Sequence, residues 1–170
     1  TPLVRTPAIV VLPAIIIGLM LVIYNLPLTF EQRSFISPGA AALAIGLWLY
    51  GETGIAKAIA AFVLATGFAY LGHSLLSSIW SYDYDRSLLF LSSYVISSLS
   101  WLIAGSIFSP AMRNLRLWII VTVAFAGANY LTYQAMMDGS LPRDLIPFVS
   151  ASGLILAFVI IGRRFDSART

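Results

Sequence analysis

Six polar side chains could bind a small molecule within an otherwise apolar sequence. They lie near the same end of three long apolar runs: Tyr24 and Asn25 in the first, His73 and Ser77 in the third, Asn129 and Tyr133 in the fifth. Hydroxyl, amide and neutral imidazole groups donate and accept hydrogen bonds without a full charge. We therefore expect His73, Asn129 and Tyr133 to line one outward-facing pocket, whose ligand is mainly apolar with one or two hydrogen-bonding groups.

The same residues also allow a purely structural interpretation. Serine in a membrane helix often bonds to a carbonyl of its own helix, and buried amides can hydrogen-bond between helices without any ligand. His73 is the only histidine in the chain, and imidazole titrates near neutral pH. Both interpretations stay open for all of these side chains at this stage.

Several kinds of chemistry are excluded by the residues that the chain lacks. It has no cysteine and one histidine, so haem held by two histidines and multi-histidine or cysteine metal sites are not expected. Every acid falls in or beside a loop, which argues against an aspartyl protease or a carboxylate relay at mid-membrane. No catalytic or metal-binding residue is predicted, no cofactor is identified, and the chain is not expected to be an enzyme; a membrane enzyme acting on lipids is the remaining alternative.

Composition places these side chains in a membrane. Hydrophobic residues make up 59% of the 170 residues and charged residues 10%, against about 45–50% and about 25% in soluble domains. A water-soluble domain of this size has too much surface to hide that excess. The expected partner is therefore the lipid bilayer. Nucleic acid is not expected, because the ten cations are scattered over the short gaps rather than gathered on one face.

Apolar runs of about 20 residues can cross a hydrocarbon core of about 30 Å as helices. Residues 1–170 are predicted to form one all-α domain, a polytopic bundle of about six transmembrane helices. The gaps between the runs hold only turns, so no soluble domain is inserted. The predicted spans cover residues 7–26, 34–50, 55–80, 87–108, 115–136 and 144–162.

The positive charges predict how such a bundle is oriented. With six spans, seven of the ten cations fall on the side of the two termini: Arg5, Lys57, Arg113, Arg116, Arg163, Arg164 and Arg169. Lys and Arg are enriched in cytoplasmic loops. Both termini are therefore expected in the cytoplasm, with the protein in a membrane such as the bacterial inner membrane.

Small residues predict how the central helices pack. Ala61, Ala65 and Ala69 recur every four residues and lead to His73 and Ser77 on the same face. Small residues at this spacing let membrane helices approach closely. A matching series on the fourth run consists of Ser93, Ser97, Ser100 and Ala104. We expect the third, fourth and fifth helices to pack tightly together.

Three functions fit this arrangement. The first is binding or translocation of a small, mostly neutral or apolar solute, either alone or as the membrane subunit of a transporter. The second is a non-catalytic subunit of a larger membrane complex or a homo-oligomer. The third is a transmembrane sensor or anchor that reads an outer-side ligand, with an end at Asp166–Thr170 that is compatible with a continuing chain. The size and helix count are similar to those of the substrate-binding subunits of vitamin transporters, but no shared motif assigns a family.

Overall fold

The chain folds as α-helices in every part that the structure describes. The computed structural model describes residues 6–48, 54–79 and 86–169, and within them there are six α-helices and no strand. The prediction of an all-α fold is confirmed. The helices are α1 (Ala8–Tyr24), α2 (Phe30–Trp48), α3 (Ile55–Ile79), α4 (Arg86–Phe108), α5 (Leu115–Met137) and α6 (Ile146–Arg169).

Three of these helices are long and apolar enough to cross a membrane. The qualifying segments within the described residues are Ile55–Leu76, Leu88–Phe108 and Leu115–Met137. Shorter apolar stretches occupy Ala8–Tyr24 and Ile36–Gly46. Large apolar side chains such as Leu71 and Val123 are well exposed on the outside of the bundle. This apolar surface is compatible with a membrane location, since lipid tails can pack against apolar side chains.

The helices are arranged as a closed ring. Each packs against the next in sequence, α6 packs against α1, and α2 also meets α4 across the interior. A Cβ atom built on Gly46, near the end of α2, would lie 2.6 Å from Cβ of Ala58, at the beginning of α3, and 3.0 Å from Cζ of Phe108, at the end of α4. Consecutive helices therefore run in opposite directions. We call the end of the ring at Ala8, Ala58 and Phe108 end A, and the opposite end, at Tyr24 and Tyr133, end B.

Asp166 closes the ring at end A. The first backbone N–H groups of a helix have no partner inside that helix, and Pro7, which precedes α1, provides no side-chain cap. Asp166 on α6 provides it instead: its Oδ1 accepts a hydrogen bond from the Ala8 N–H at 2.7 Å, and its Oδ2 accepts one from the Ile9 N–H at 3.0 Å. A negative charge at a helix N-terminus is also favoured by the helix dipole.

A glycine on α6 permits this close contact. A Cβ atom on Gly162 would lie 2.6 Å from the carbonyl oxygen of Ala8 and 2.7 Å from Cα of Ile9. Both are backbone atoms, so they cannot move aside as a flexible side chain could. Gly162 was the predicted end of the last span, but α6 continues to Arg169, and this extension carries Asp166.

The start of α2 also differs from the predicted span, which began at residue 34. The helix begins at Phe30 because Thr29 and Gln32 form a capping box. The Thr29 N–H donates to Oε1 of Gln32 at 3.0 Å, and the Gln32 N–H donates to Oγ1 of Thr29 at 3.2 Å. Arg33, one residue later, donates from Nη2 to the carbonyl oxygens of Tyr24 and Leu26. These bonds join the end of α1 to the beginning of α2.

The small residues of α3 form a contact face, as predicted. Ala61, Ala65 and Ala69 are completely buried. On the α2 side, a Cβ atom on Gly39 would overlap the side chain of Thr66, and on the α4 side, one on Gly72 would lie 3.0 Å from Ile96. Close packing of α3 against two neighbours therefore depends on the absence of side-chain bulk at these positions.

Replacing Gly162 with alanine tests the α1–α6 contact. We expect Gly162→Ala to destabilise the protein by about 1–3 kcal/mol, as an overfilled core does, because the added methyl group meets the backbone of α1. The matched control is Gly67→Ala in α3, where an added Cβ meets nothing within 4 Å. That change should be neutral or stabilising by up to about 1 kcal/mol, since alanine is the better helix former. Thermal unfolding in detergent measures both; equal melting temperatures for the two variants would contradict the close approach.

Candidate ligand site

One face of α4 lies towards the interior of the ring. Tyr94, Ser98, Trp101 and Gly105 are spaced by four, three and four residues, which places them on one side of a helix. Ser98 is completely buried and Trp101 is 8% exposed. Tyr94 packs against the buried core. This face, which we call the inner face of α4, is defined by these four residues.

Aromatic rings continue from this face to α5 and α6. Trp101 contacts Phe125 on α5 and Phe158 on α6. Tyr94 meets Phe125 edge-on. Such tilted and edge-to-face pairs are favourable arrangements of aromatic rings. Between ring centroids, the pairs are Phe90–Tyr133 (4.7 Å), Tyr94–Phe125 (5.8 Å), Trp101–Phe125 (4.6 Å) and Trp101–Phe158 (4.8 Å). Aromatic pairs therefore occur from end B to the middle of the bundle, and two of them pack against Trp101.

A cavity lies beside Trp101, between α2, α4 and α6. Its walls are apolar and include four small residues: Ala41, Ala42, Ala104 and Gly105. With its open approach, the cavity has a volume of about 310 Å³. The part that water can enter is about 10 Å³, which is room for about one water molecule. No group of histidine, aspartate or glutamate that could hold a metal ion occurs in the described residues.

Two polar atoms of the inner face have no hydrogen-bond partner among the described residues. They are Oγ of Ser98 and Nε1 of Trp101, and both are buried. Elsewhere, the same atom types are satisfied: Oγ of Ser100 donates to the Ile96 carbonyl at 2.8 Å, and Nε1 of Trp118 donates to the Met112 carbonyl at 2.6 Å. An unmade buried hydrogen bond costs about 1–3 kcal/mol. The interior therefore offers two donors, three residues apart on one helix, to any acceptor that reaches them.

Of the sequence-predicted residues, Tyr133 meets α4 at end B, where its ring lies 4.7 Å from that of Phe90 between centroids. Tyr24 ends α1 at the same end of the bundle. Tyr24 itself is 68% exposed, and the guanidinium of Arg33 lies over its ring, 5.2 Å from the centroid. Asn25 is exposed, and its Nδ2 donates to the Leu21 carbonyl at 2.7 Å. Asn25 thus terminates α1 with a bond inside its own helix.

Asn129 lies in the contact between α5 and α6. It is 7% exposed, and its Nδ2 donates to the Phe125 carbonyl at 2.9 Å. A Cβ atom on Gly153 of α6 would lie 3.4 Å from the same nitrogen. Thr132 makes a similar bond within its own helix, from Oγ1 to the Ala128 carbonyl at 2.7 Å. These bonds are the kind that structural polar residues make in membrane helices.

His73 and Ser77 lie on α3, towards end B. His73 is half-buried, while the side chain of Ser77 is outside the described part of the structure. The extensive contacts of α3 are with α2 and α4, and those of α5 are with α4 and α6. Because α4 lies between them, the convergence of His73 with Asn129 and Tyr133 in one pocket stays a prediction.

Sequence reasoning missed the inner face of α4. It grouped Ser93, Ser97 and Ser100 as a small-residue series, whereas Ser98 and Ser100 are the completely buried serines of this helix. Trp101 received no role because a tryptophan in an apolar run carries no distinct signal. The spacing of Tyr94, Ser98, Trp101 and Gly105 could have indicated this face, because it places two hydroxyl groups, an indole N–H and a residue without a side chain on one side of a helix.

Comparison with known protein families, with curated proteins and with solved structures finds no match for this chain. The inner face of α4 carries two buried donors without a described partner, Ser98 and Trp101, and Trp101 lines the apolar cavity.

Two serines on α4 give a matched test of the unmet hydrogen bond. Both are completely buried, but only Ser100 has a hydrogen-bond partner. We expect Ser98→Ala to stabilise the ligand-free protein by about 1 kcal/mol, because it removes a buried hydroxyl group without a partner. Ser100→Ala should leave stability unchanged or lower it. A Ser98→Ala variant that melts below the wild type in detergent would show that this hydroxyl group is already satisfied.

Proposed function

We propose that this chain is a multi-pass membrane protein whose six helices all cross the bilayer. The alternating direction of the helices supports this, together with the three segments that are long and apolar enough to span. The shorter helices have 17 residues (α1) and 19 residues (α2), which at 1.5 Å per residue is about 26 and about 29 Å; the apolar stretch of α2 is Ile36–Gly46. A hydrocarbon core is about 30 Å thick, so each needs only a short extension.

The distribution of charge supports a cytoplasmic position for end A. Arg113, Arg116, Arg163 and Arg164 belong to the helix ends and the turn at this end of the ring. The acids Asp138 and Asp144 follow α5 and precede α6 at end B. Because Lys and Arg are enriched on the cytoplasmic side, this orientation puts both termini in the cytoplasm.

Within this bundle we infer binding of a small, mostly apolar solute that carries a hydrogen-bond acceptor, such as a carbonyl or ether oxygen. Two observations carry the inference: Ser98 and Trp101 are buried donors without a described partner, and Trp101 also lines an apolar cavity. Ligand sites in proteins are commonly apolar, with a small number of polar groups that fix orientation. An acceptor bonded to Ser98 and Trp101 would remove the free-energy cost of leaving these two buried donors without partners.

The size of the cavity sets a condition on this function. Sites for drug-sized ligands have volumes of about 300–1,000 Å³, whereas the water-accessible core of this cavity is about 10 Å³. A solute larger than water must therefore separate α2 from α4, whose contact closes the interior. Small residues line the cavity on both of these helices, Ala41 and Ala42 on α2 and Ala104 and Gly105 on α4. If the opening alternates between the two ends, the same site translocates its solute, alone or as the membrane subunit of a transporter.

Filling the cavity tests the proposed function. Ala42 is 3% exposed and lines the cavity, so Ala42→Leu should occupy the space of the solute. Ala60→Leu is the matched control, because Ala60 is exposed on α3. The purified proteins are extracted with organic solvent and the extracts compared by mass spectrometry. We expect one small molecule to accompany the wild type and Ala60→Leu but not Ala42→Leu.

Ser98→Ala separates loss of binding from loss of folding in that experiment. This variant is expected to be at least as stable as the ligand-free wild type, yet it removes one donor from the site, so the co-purifying molecule should be depleted. Identical extracts from the wild type, Ala42→Leu and Ser98→Ala would rule out solute binding at the inner face of α4.

A further inference from the structure

Two guanidinium groups at end A are fixed next to one turn. The turn consists of Pro110–Met112 between α4 and α5. Nε of Arg113 donates to the Ser106 carbonyl at 3.1 Å, and Nε of Arg164, on α6, donates to the Ala111 carbonyl at 3.0 Å. A guanidinium has five N–H donors, so bonding through Nε holds each group while its two terminal Nη groups remain to bind an acceptor.

These arginines have no acidic partner in the described part of the chain. Arg113, Arg116 and Arg164 form no ion pair there, although Asp166 is on the same helix as Arg164. Asp166 instead accepts hydrogen bonds from the backbone of α1. Arg113 and Arg116 are exposed and Arg164 is half-buried. No described acid therefore offsets the positive charge at this turn, and hydrogen bonds to the backbone fix the guanidinium groups of Arg113 and Arg164.

Apolar surface continues directly from the turn along α5. Leu115 is 74% exposed and Ile119 is 54% exposed, and they are four residues apart on one side of the helix. The indole N–H of Trp118 donates to the Met112 carbonyl at 2.6 Å. Tryptophan is enriched at the depth of lipid headgroups. The turn therefore combines a cationic group at headgroup depth with an apolar track that leads into the bilayer.

We propose that this turn is a binding site for the headgroup of an anionic phospholipid. The Nη groups of Arg113 and Arg164 bind the phosphate oxygens, Arg116 adds positive charge at the edge, and the acyl chains lie along Leu115 and Ile119. Planar guanidinium groups suit phosphate because two parallel N–H donors match two of its oxygens. Anionic lipids are concentrated in the cytoplasmic leaflet, where end A is proposed to lie. This site is separate from the inner face of α4, so it does not depend on the proposed solute binding, but it rests on the proposed position of end A at the cytoplasmic leaflet.

Titration with defined lipids tests the site. The purified protein is titrated in detergent with dioleoyl phosphatidylglycerol or dioleoyl phosphatidylcholine, and bound lipid is counted by native mass spectrometry. We expect tighter binding of phosphatidylglycerol. Each of Arg113→Gln and Arg164→Gln should weaken it about fivefold, in line with the contribution of one basic residue near a membrane surface. Arg163→Gln, an exposed neighbour on the same helix, is the control and should have a smaller effect.

Two further measurements decide the source of the phosphate and the integrity of the variants. Glycerol 3-phosphate offers a soluble phosphate group without acyl chains, and it should neither bind detectably nor displace the lipid. Arg113→Gln removes an exposed side chain that makes one hydrogen bond to the described residues, and its helical circular dichroism should match the wild type. Equal affinity for the two lipids, equal weakening by Arg163→Gln, or displacement by glycerol 3-phosphate would each overturn the proposal.

Discussion

The contact between the first and last helices holds this bundle together as a ring. Every other pair of helices that is adjacent around the ring is joined by a short connection, whereas α1 and α6 are the first and last helices of the chain. Gly162 permits the approach, and the carboxylate of Asp166 satisfies the first N–H groups of α1. Without that partner, these N–H groups would remain unmet, which is costly away from water. The same contact places Phe158 against Trp101, so the wall of the interior cavity depends on it.

Polar residues inside the ring divide into two groups with different energetic consequences. Ser100, Thr132 and Asn129 bond to carbonyl groups of their own helices and add to stability or leave it unchanged. Ser98 and Trp101 place donors in the interior without a partner in the described residues, and this lowers the stability of the empty protein. Departures of this kind from local satisfaction are expected at functional sites. The exposed cations at end A also lack a partner in the described residues, because no described acid offsets their charge.

The helices and the alanine face of α3 could be predicted from the sequence because both are local patterns. The inner face of α4 could not, since nearly all sides of a membrane helix are apolar and hydrophobic periodicity does not mark which side is buried. The bond between Asp166 and Ala8 joins residues 158 positions apart and leaves no local trace. Arg163 and Arg164 suggested the end of a span, whereas α6 continues past them. The predicted pocket of His73, Asn129 and Tyr133 stays a prediction.

The alternating crossing of all six helices is the central claim, and single-cysteine labelling tests it most directly. The chain has no cysteine, so each introduced thiol is the only target. Cysteine replaces Lys57, Arg113 or Arg163 at end A, or Asp138 at end B, and intact cells are treated with a membrane-impermeant maleimide. The ring predicts labelling at position 138 alone, with the other three labelled only after the cells are permeabilised. Labelling of position 113 in intact cells would contradict a bundle of six alternating spans with both termini in the cytoplasm.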